Sequence, residues 1–367
     1  MNILLLEPYF TGSHKQWANG LKQHSRHNIK ILSLEGRFWK WRMHGGAVSL
    51  ANQFLKEEID TDLILATDML DLTTFLTLTR AKTHDIPIVF YFHENQLSYP
   101  WSPTDRDVQA NRDQHYGFIN YASALASDKI CFNSKYHQSS FLKELKNYLG
   151  QFPDNRLTKT VQSIEARSSV LPLGLNLRAF DQYKTENRNS IPTILWNHRW
   201  EYDKNPESFF NALFSLHDQQ VDFRLIVVGE NFSQSPDIFL KAKKILNKEI
   251  IHFGYAESFE EYARLLWSAD ILPVTSIQDF FGISIMEAVY CNTLPILPER
   301  LTYPELFTDP LFKPWFYSTE NEMIYLLKNA ILSFQDIRKN DYTSVANKYD
   351  WAKMINPYDE LFESLLS

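Results

Sequence analysis

Residues 181–206 read DQYKTENRNSIPTILWNHRWEYDKNP, and the character of the chain changes three times within them. The first twelve residues, DQYKTENRNSIP (181–192), are polar and suit a linker. TILWNHR (193–199) is an apolar strand candidate that ends in a cation. Arg199 and Lys204 then share one turn, and Asn205 with Pro206 suits the start of a helix. Working outward, the same alternation fills the chain on both sides. Before the linker, apolar strands are expected at 3–8, 29–34, 62–67, 86–92, 129–133 and 169–174, with helices at 14–24, 47–58, 71–84, 113–127 and 135–147. After it, strands are expected at 193–199, 223–229, 250–254, 270–276 and 293–298, and helices near 206–217, 236–247, 257–268, 283–291 and 320–334. Strands apolar along their whole length and separated by helices make parallel sheets covered on both faces. The expectation is an α/β protein of two doubly wound, Rossmann-like domains, 1–185 and 186–348. Ligands are expected at the carboxyl ends of the strands.

Composition agrees. The chain has 367 residues, 44% hydrophobic and 14% aromatic, as suits packed cores rather than disorder. Its two cysteines, Cys131 and Cys291, lie in apolar stretches without metal-ligand spacing, as expected of buried thiols in a cytoplasmic protein. The N-terminal MNILLLEPYF reads as a first strand, and no apolar run reaches membrane-spanning length. The net charge of −7 is unevenly spread. Residues 1–185 hold 21 Lys+Arg against 18 Asp+Glu, whereas 186–367 hold 16 against 26. An anionic partner is therefore expected on the first half.

Four motifs carry chemistry. The first turn, GSHKQW (12–17), offers Gly12, Ser13 and His14 and lacks the G-x-G-x-x-G of a dinucleotide fold, which disfavours an NAD-linked oxidoreductase. FHENQLSYP (92–100) places His93, Glu94, Asn95 and Gln96 where the fourth strand ends; alone, it reads equally well as a capping cluster. Arg199 and Lys204 beside a helix start suit a diphosphate without metal. In DFFGISIMEAVYCNTLPI (279–296), Gly282 permits a tight turn, and Ile283 and Ser284 open a helix whose N–H groups suit an anion. Asp279 and Glu287 flank that turn, suited to accept hydrogen bonds from sugar and ribose hydroxyls, and a Glu beside apolar Ala-Val needs a partner.

Together the second-half motifs resemble the GT-B fold retaining glycosyltransferases of the glycogen-synthase-like group, family 4. That group pairs an Arg and a Lys after the first strand of the second domain with two acids that have seven residues between them. Asp279 stands where Glu is usual. GSHKQW, HENQLSYP and FNSKYHQSSFL (132–142) narrow the resemblance to the tRNA-queuosine mannosyltransferase family. It implies two domains facing a central cleft and a final helix, 349–367, that crosses back to the first domain with Trp351 and Leu361 packed there. It further implies retention of configuration, GDP-mannose as donor and the queuosine of a tRNA anticodon loop as acceptor. His93, Arg199, Lys204 and Asp279 take the catalytic roles. Gly12, Ser13, Phe281, Gly282, Ile283, Ser284 and Glu287 hold the donor, and His14, Glu94, Asn95 and Gln96 shape the acceptor pocket. Arg199 and Lys204 suit a diphosphate without metal, so metal-independent chemistry without a cofactor is expected.

The RNA-binding expectation rests on EGRFWKWRMHGG (35–46), after the second strand. Arg37, Lys40 and Arg42 interleave there with Trp39 and Trp41, as an unstacked base and its phosphates require. Without the resemblance, a hairpin with buried tryptophans and solvated cations reads better. Two rivals stand: a family 4 enzyme acting on a lipid or small molecule, and a non-catalytic RNA-binding protein.

Overall fold

The computed structural model describes residues 1–102, 115–185, 188–230 and 236–366. The chain forms two compact units, Met1–Leu175 with the segment from Trp351 onward, and Asn176–Asp350. The division falls ten residues before the expected one at 185. Leu177–Tyr183 forms a 3₁₀ turn tied to the second unit: the Phe180 carbonyl accepts Trp267 Nε1 at 2.9 Å and Asp181 accepts the Tyr290 hydroxyl at 3.0 Å. A polar stretch reads as a linker from sequence, but these anchors make its first part a member of the second core.

In the first unit, β1 (Asn2–Phe10), β2 (Asn28–Glu35), β3 (Leu63–Thr67), β4 (Ile88–Phe92), β5 (Lys129–Phe132) and β6 (Ser168–Val170) form one parallel sheet in the order β2-β1-β3-β4-β5-β6. Every residue of β3 and β4 is buried, which explains their uninterrupted apolar runs. The helices are α1 (Gly12–His24), α2 (Trp39–Lys56), α3 (Leu72–Thr83), α4 (His115–Ala126), α5 (Lys135–Gly150) and α6 (Lys159–Arg167). Residues 113 and 114 of the helix expected at 113–127 lie outside the described residues. Helix α6 escaped the sequence reading because only Val161 and Ile164 of its nine residues are buried.

Helix α2 begins at Trp39, eight residues before the expected start, so the basic-aromatic run is neither loop nor hairpin. Gly45 and Gly46 disguise it. A Cβ on Gly46 would lie 3.1 Å from Pro8 Cβ, so glycine permits the helix to press onto β1, with Met43, Ala47, Leu50 and Phe54 buried along one face.

The last helix of eight residues or more belongs to the first unit. Trp351–Glu363 buries Trp351, Met354, Tyr358 and Phe362, while Leu361, expected in the packing, is only half-buried. The Tyr358 hydroxyl accepts Trp17 Nε1 at 3.0 Å and donates to the Pro172 carbonyl at 2.9 Å. Asp359 accepts the Ser25 hydroxyl at 2.6 Å.

In the second unit, β7 (Thr193–Trp196), β8 (Arg224–Val228), β9 (Ile250–Gly254), β10 (Ile271–Pro273), β11 (Leu294–Pro298) and the two-residue β12 (Phe316–Tyr317), too short to signal itself, form a parallel sheet in the order β12-β11-β10-β7-β8-β9. The helices of eight residues or more here are α7 (Pro206–Asp218), α8 (Ile238–Ile245), α9 (Phe259–Ser268), α10 (Ile283–Tyr290) and α11 (Glu320–Leu332); the C-terminal helix is then α12 (Trp351–Glu363). Asn205 caps α7 from the left-handed region (φ 51°), with Pro206 in the first turn, as the sequence indicates. Strand order reverses between β1 and β3 in one sheet and between β7 and β10 in the other. Doubly wound sheets bind ligands at such points.

Candidate active site

At the β1/β3 switch point, Glu7 stands inside β1, fully buried, and its Oε2 lies 3.1 Å from His14 Nδ1. The second Glu7 oxygen accepts the Tyr9 N–H at 2.9 Å. Burial works against charge on His14, but Glu7, with Asp68 and Glu94 behind it, outweighs burial and raises the imidazole to about 9. His14 is thus buried against Glu7, while Thr11 holds the N-cap position of α1 without a side-chain bond. Gly12 (φ 48°) and Ser13 are exposed at the turn, and nothing lies within 4 Å of a Cβ on Gly12.

His93, at the end of β4, sits over His14 with ring centroids 4.3 Å apart and meets Trp17 edge-on at 4.6 Å. Its backbone N–H donates to Asp68 Oδ1 at 2.7 Å, beyond the end of β3. Burial, then His14, pushes the His93 imidazole well below its ordinary value, so it is neutral. Its buried Nε2 meets no partner among the described residues. Glu7, His14 and His93 offer ligand atoms within 4.8 Å of one another and could hold a metal ion. Asn95, fully buried, accepts the N–H of Leu97 and Ser98 and so holds the turn that follows. Gln96 bridges Asn120 through its N–H and Glu94 through its amide.

The second switch point gathers the other set. Lys204 ends a 3₁₀ turn (Tyr202–Lys204), with its amine 3.2 Å from Asp203 and 3.5 Å from Asp279, and it donates to the Gln278 carbonyl. Burial disfavours its charge, but Asp279 and Asp203 more than offset this and raise its pKa. Asp279 also accepts the Tyr303 hydroxyl at 3.0 Å. Arg199 is half-exposed and pairs with Glu201 at 3.2 Å. Gly282 (φ 80°, ψ 57°) caps α10 from the left-handed region, which glycine adopts freely. Ile283 and Ser284 open the helix, while Phe281 is buried edge-on against Tyr349 and serves packing. Glu287 accepts the Tyr262 hydroxyl at 2.6 Å, and burial raises it to about 7.

The basic-aromatic run divides. Trp39 packs against Tyr116 (5.1 Å) beside Trp101, with Lys40 over both indoles, so Trp39 is taken up by an apolar cluster. Arg42 Nε donates to the Glu35 carbonyl, and Arg37 pairs with the Glu35 carboxylate.

Sequence reasoning missed Glu7, Asp68 and His198. His198 Nδ1 lies 2.8 Å from the Ser284 hydroxyl, and Asn197 donates to the Ser284 carbonyl, so β7 fixes the first turn of α10. Glu7 had a signal, an acid within ILLLEP that cannot be buried without a partner.

Two parallel-sheet units, each with its polar cluster at the switch point, define a glycosyltransferase of the GT-B class. The sucrose-phosphate synthase of Thermosynechococcus elongatus shares this fold over 100% of the chain and 99% of its own (TM-score 0.70, 14% identity). Residues 178–335 match the family model described as glycosyl transferases group 1, and residues 2–175 the one described as tRNA-queuosine alpha-mannosyltransferase N-terminal. A protein of Drosophila melanogaster named tRNA-queuosine alpha-mannosyltransferase is 33% identical over 337 residues, 89% of the chain and 86% of the relative. The chain belongs to the tRNA-queuosine mannosyltransferase family. A Mycobacterium tuberculosis relative, 27% identical over 38% of the chain and 37% of its own, is named a GDP-mannose-dependent alpha-(1-6)-phosphatidylinositol dimannoside mannosyltransferase.

Proposed function

We propose that this glycosyltransferase moves mannose from GDP-mannose to a hydroxyl of queuosine in a tRNA anticodon loop, with retention of configuration. The observation that carries this reading is the Drosophila relative, alike over both units and so named. The name of the mycobacterial relative supports the donor. The bond from the anomeric carbon to the phosphate oxygen breaks, and the bond to the acceptor oxygen forms on the same face. The acceptor proton passes to a phosphate oxygen. Negative charge grows on the leaving diphosphate, where Lys204, Arg199 and the N–H groups at the start of α10 stabilise it. The family resemblance gives donor-side roles to His93, Gly12 and Ser13 in the first unit and to Asp279 in the second. Asn95, Glu94 and Gln96 shape the acceptor side with His14. These cations supply the stabilisation without metal or resident cofactor. Among the described residues no helix is long and apolar enough to cross a membrane, and both cysteines are buried free thiols, which suits a reducing compartment such as the cytoplasm.

The test incubates the enzyme with GDP-mannose, with and without EDTA, and tRNA with or without queuosine, then analyses released nucleosides by mass. A hexose added only to queuosine, undiminished by EDTA, is the expected result. Equal transfer to queuosine-free tRNA, or transfer to a lipid extract instead, overturns the acceptor. Activity lost in EDTA and restored by Mg²⁺ or Mn²⁺ overturns the metal-free chemistry.

Glu287 gives a pH test of its ribose contact. Burial holds its proton up to about pH 7, so the carboxylate that accepts ribose hydroxyls forms only above that pH. The donor KM is expected to rise as pH falls from 8 to 6, and Glu287→Gln to give a weaker, pH-flat KM. A wild-type KM that stays level across this range rules the contact out.

A further inference from the structure

The entry to α2 holds two aromatic rings that no core claims. Phe38 is 76% exposed and Trp41 63% exposed, three residues apart on the first turn. Their placement is set by the backbone. Phe38 lies in the left-handed region (φ 55°, ψ 58°), which a bulky residue adopts at a cost of order 1–3 kcal/mol and keeps only where the surroundings impose it. Here its carbonyl accepts the N–H groups of Trp41 and Arg42, at 2.8 and 3.1 Å, so the strained residue also starts the helix. The Trp41 indole lies across Gly45, where a Cβ would come within 2.6 Å of the ring carbons. One face of the indole thus rests on bare helix backbone and the rest stays in water.

Along the run 37–44 itself the charge has one sign, with the exposed Glu35 just before it. Residues 37–44 contain Arg37, Lys40 and Arg42 and no acid. Among the described residues, the Arg37 guanidinium is held by an exposed pair with Glu35, of the kind that contributes little and is readily exchanged for a phosphate. Exposed flat rings among cations suit a ligand with flat apolar faces and a polyanionic backbone, which is unpaired RNA. An acidic protein segment would satisfy the cations and leave the rings without flat partners.

We propose that Phe38 and Trp41 are the stacking platform for unpaired bases of the acceptor RNA beside the modified nucleoside, with Arg37 on their phosphate. This rests on the reading of tRNA as acceptor and assigns the ring contact to Phe38 and Trp41 instead of Trp39.

The test measures binding of a queuosine-free anticodon stem-loop RNA by fluorescence anisotropy, for wild type, Phe38→Ala/Trp41→Ala, Trp41→Phe and Arg37→Ala at several salt concentrations. Each stacked base lost is expected to weaken binding about tenfold to a hundredfold. The double variant should keep the wild-type salt slope and nucleotide affinity, and Trp41→Phe should recover most of the binding. Arg37→Ala should instead lower the salt slope by about one. A double variant that binds RNA as wild type overturns the platform. So does one that loses anionic phospholipid vesicle binding alone, which would make the patch a membrane contact. Failure of the functional reading shows separately, as wild-type enzyme that binds the stem-loop but adds no hexose to queuosine.

Discussion

Replacing Lys204 by alanine is expected to lower kcat by about 10²–10³-fold while leaving the KM for tRNA near the wild-type value. The reason lies in how the amine is held. It is nearly buried, anchored by the Gln278 carbonyl and between the carboxylates of Asp203 and Asp279, so in the proposed mechanism it would meet the leaving diphosphate already oriented and already charged. A preorganised cation acts most where charge develops, in the transition state, and less on the substrate as first bound. Arg199→Ala is expected to cost less, because its half-exposed guanidinium is screened by water. Single-turnover assays at saturating donor separate the chemical step from product release. A Lys204→Ala enzyme within threefold of wild type would remove this lysine from the mechanism.

Replacing Trp351 by alanine is expected to destabilise the first unit by about 3–5 kcal/mol, the usual loss for a buried large aromatic. Trp351 is 1% exposed and opens α12, and its indole fills the space left by two absent side chains, since a Cβ on either Gly20 or Gly174 would collide with it. Gly20 belongs to α1, and Gly174 follows β6, so one side chain joins the last helix to both ends of the sheet's sequence. Its backbone N–H adds a bond to the Leu175 carbonyl at 2.9 Å. The cavity left by alanine cannot close, because α12 is held independently to α1 by Trp17–Tyr358 and Ser25–Asp359, and to the segment after β6 by Tyr358–Pro172. Urea unfolding followed by far-UV circular dichroism should show an earlier transition for the first unit and an unmoved one for the second. A shift below about 1 kcal/mol would mean that α12 contributes little to that core.

Much of the architecture was readable because each strand reports its own burial. A run such as LILAT or IVFYF is apolar throughout only if both faces are covered, and alternation with helices then requires parallel crossovers. Likewise Gly282, Asn205 and Pro206 announce local backbone events that need no distant partner. Helix α2 was half-hidden for the opposite reason. Its glycines answer to Pro8 and to the Trp41 ring, contacts that no local window contains.

Sequence by itself determined the order of strands and helices, the position of Lys204 after β7 and the glycine that opens α10, since each depends on residues near in the chain. Only the tertiary structure decided that Glu7 charges His14, that His93 stacks on it while resting on Asp68, and that Trp39 enters a core while Phe38 and Trp41 stay outside. The return of Trp351 to the first unit is what the family resemblance implies; the structure adds the contacts it makes there, against Gly20 and Gly174. The physical reason is that hydropathy and turn chemistry record how deeply a stretch is buried. The partner a buried group meets is set by which strands become neighbours, and β1 lies beside β3 and next but one to β4 only once the sheet has formed.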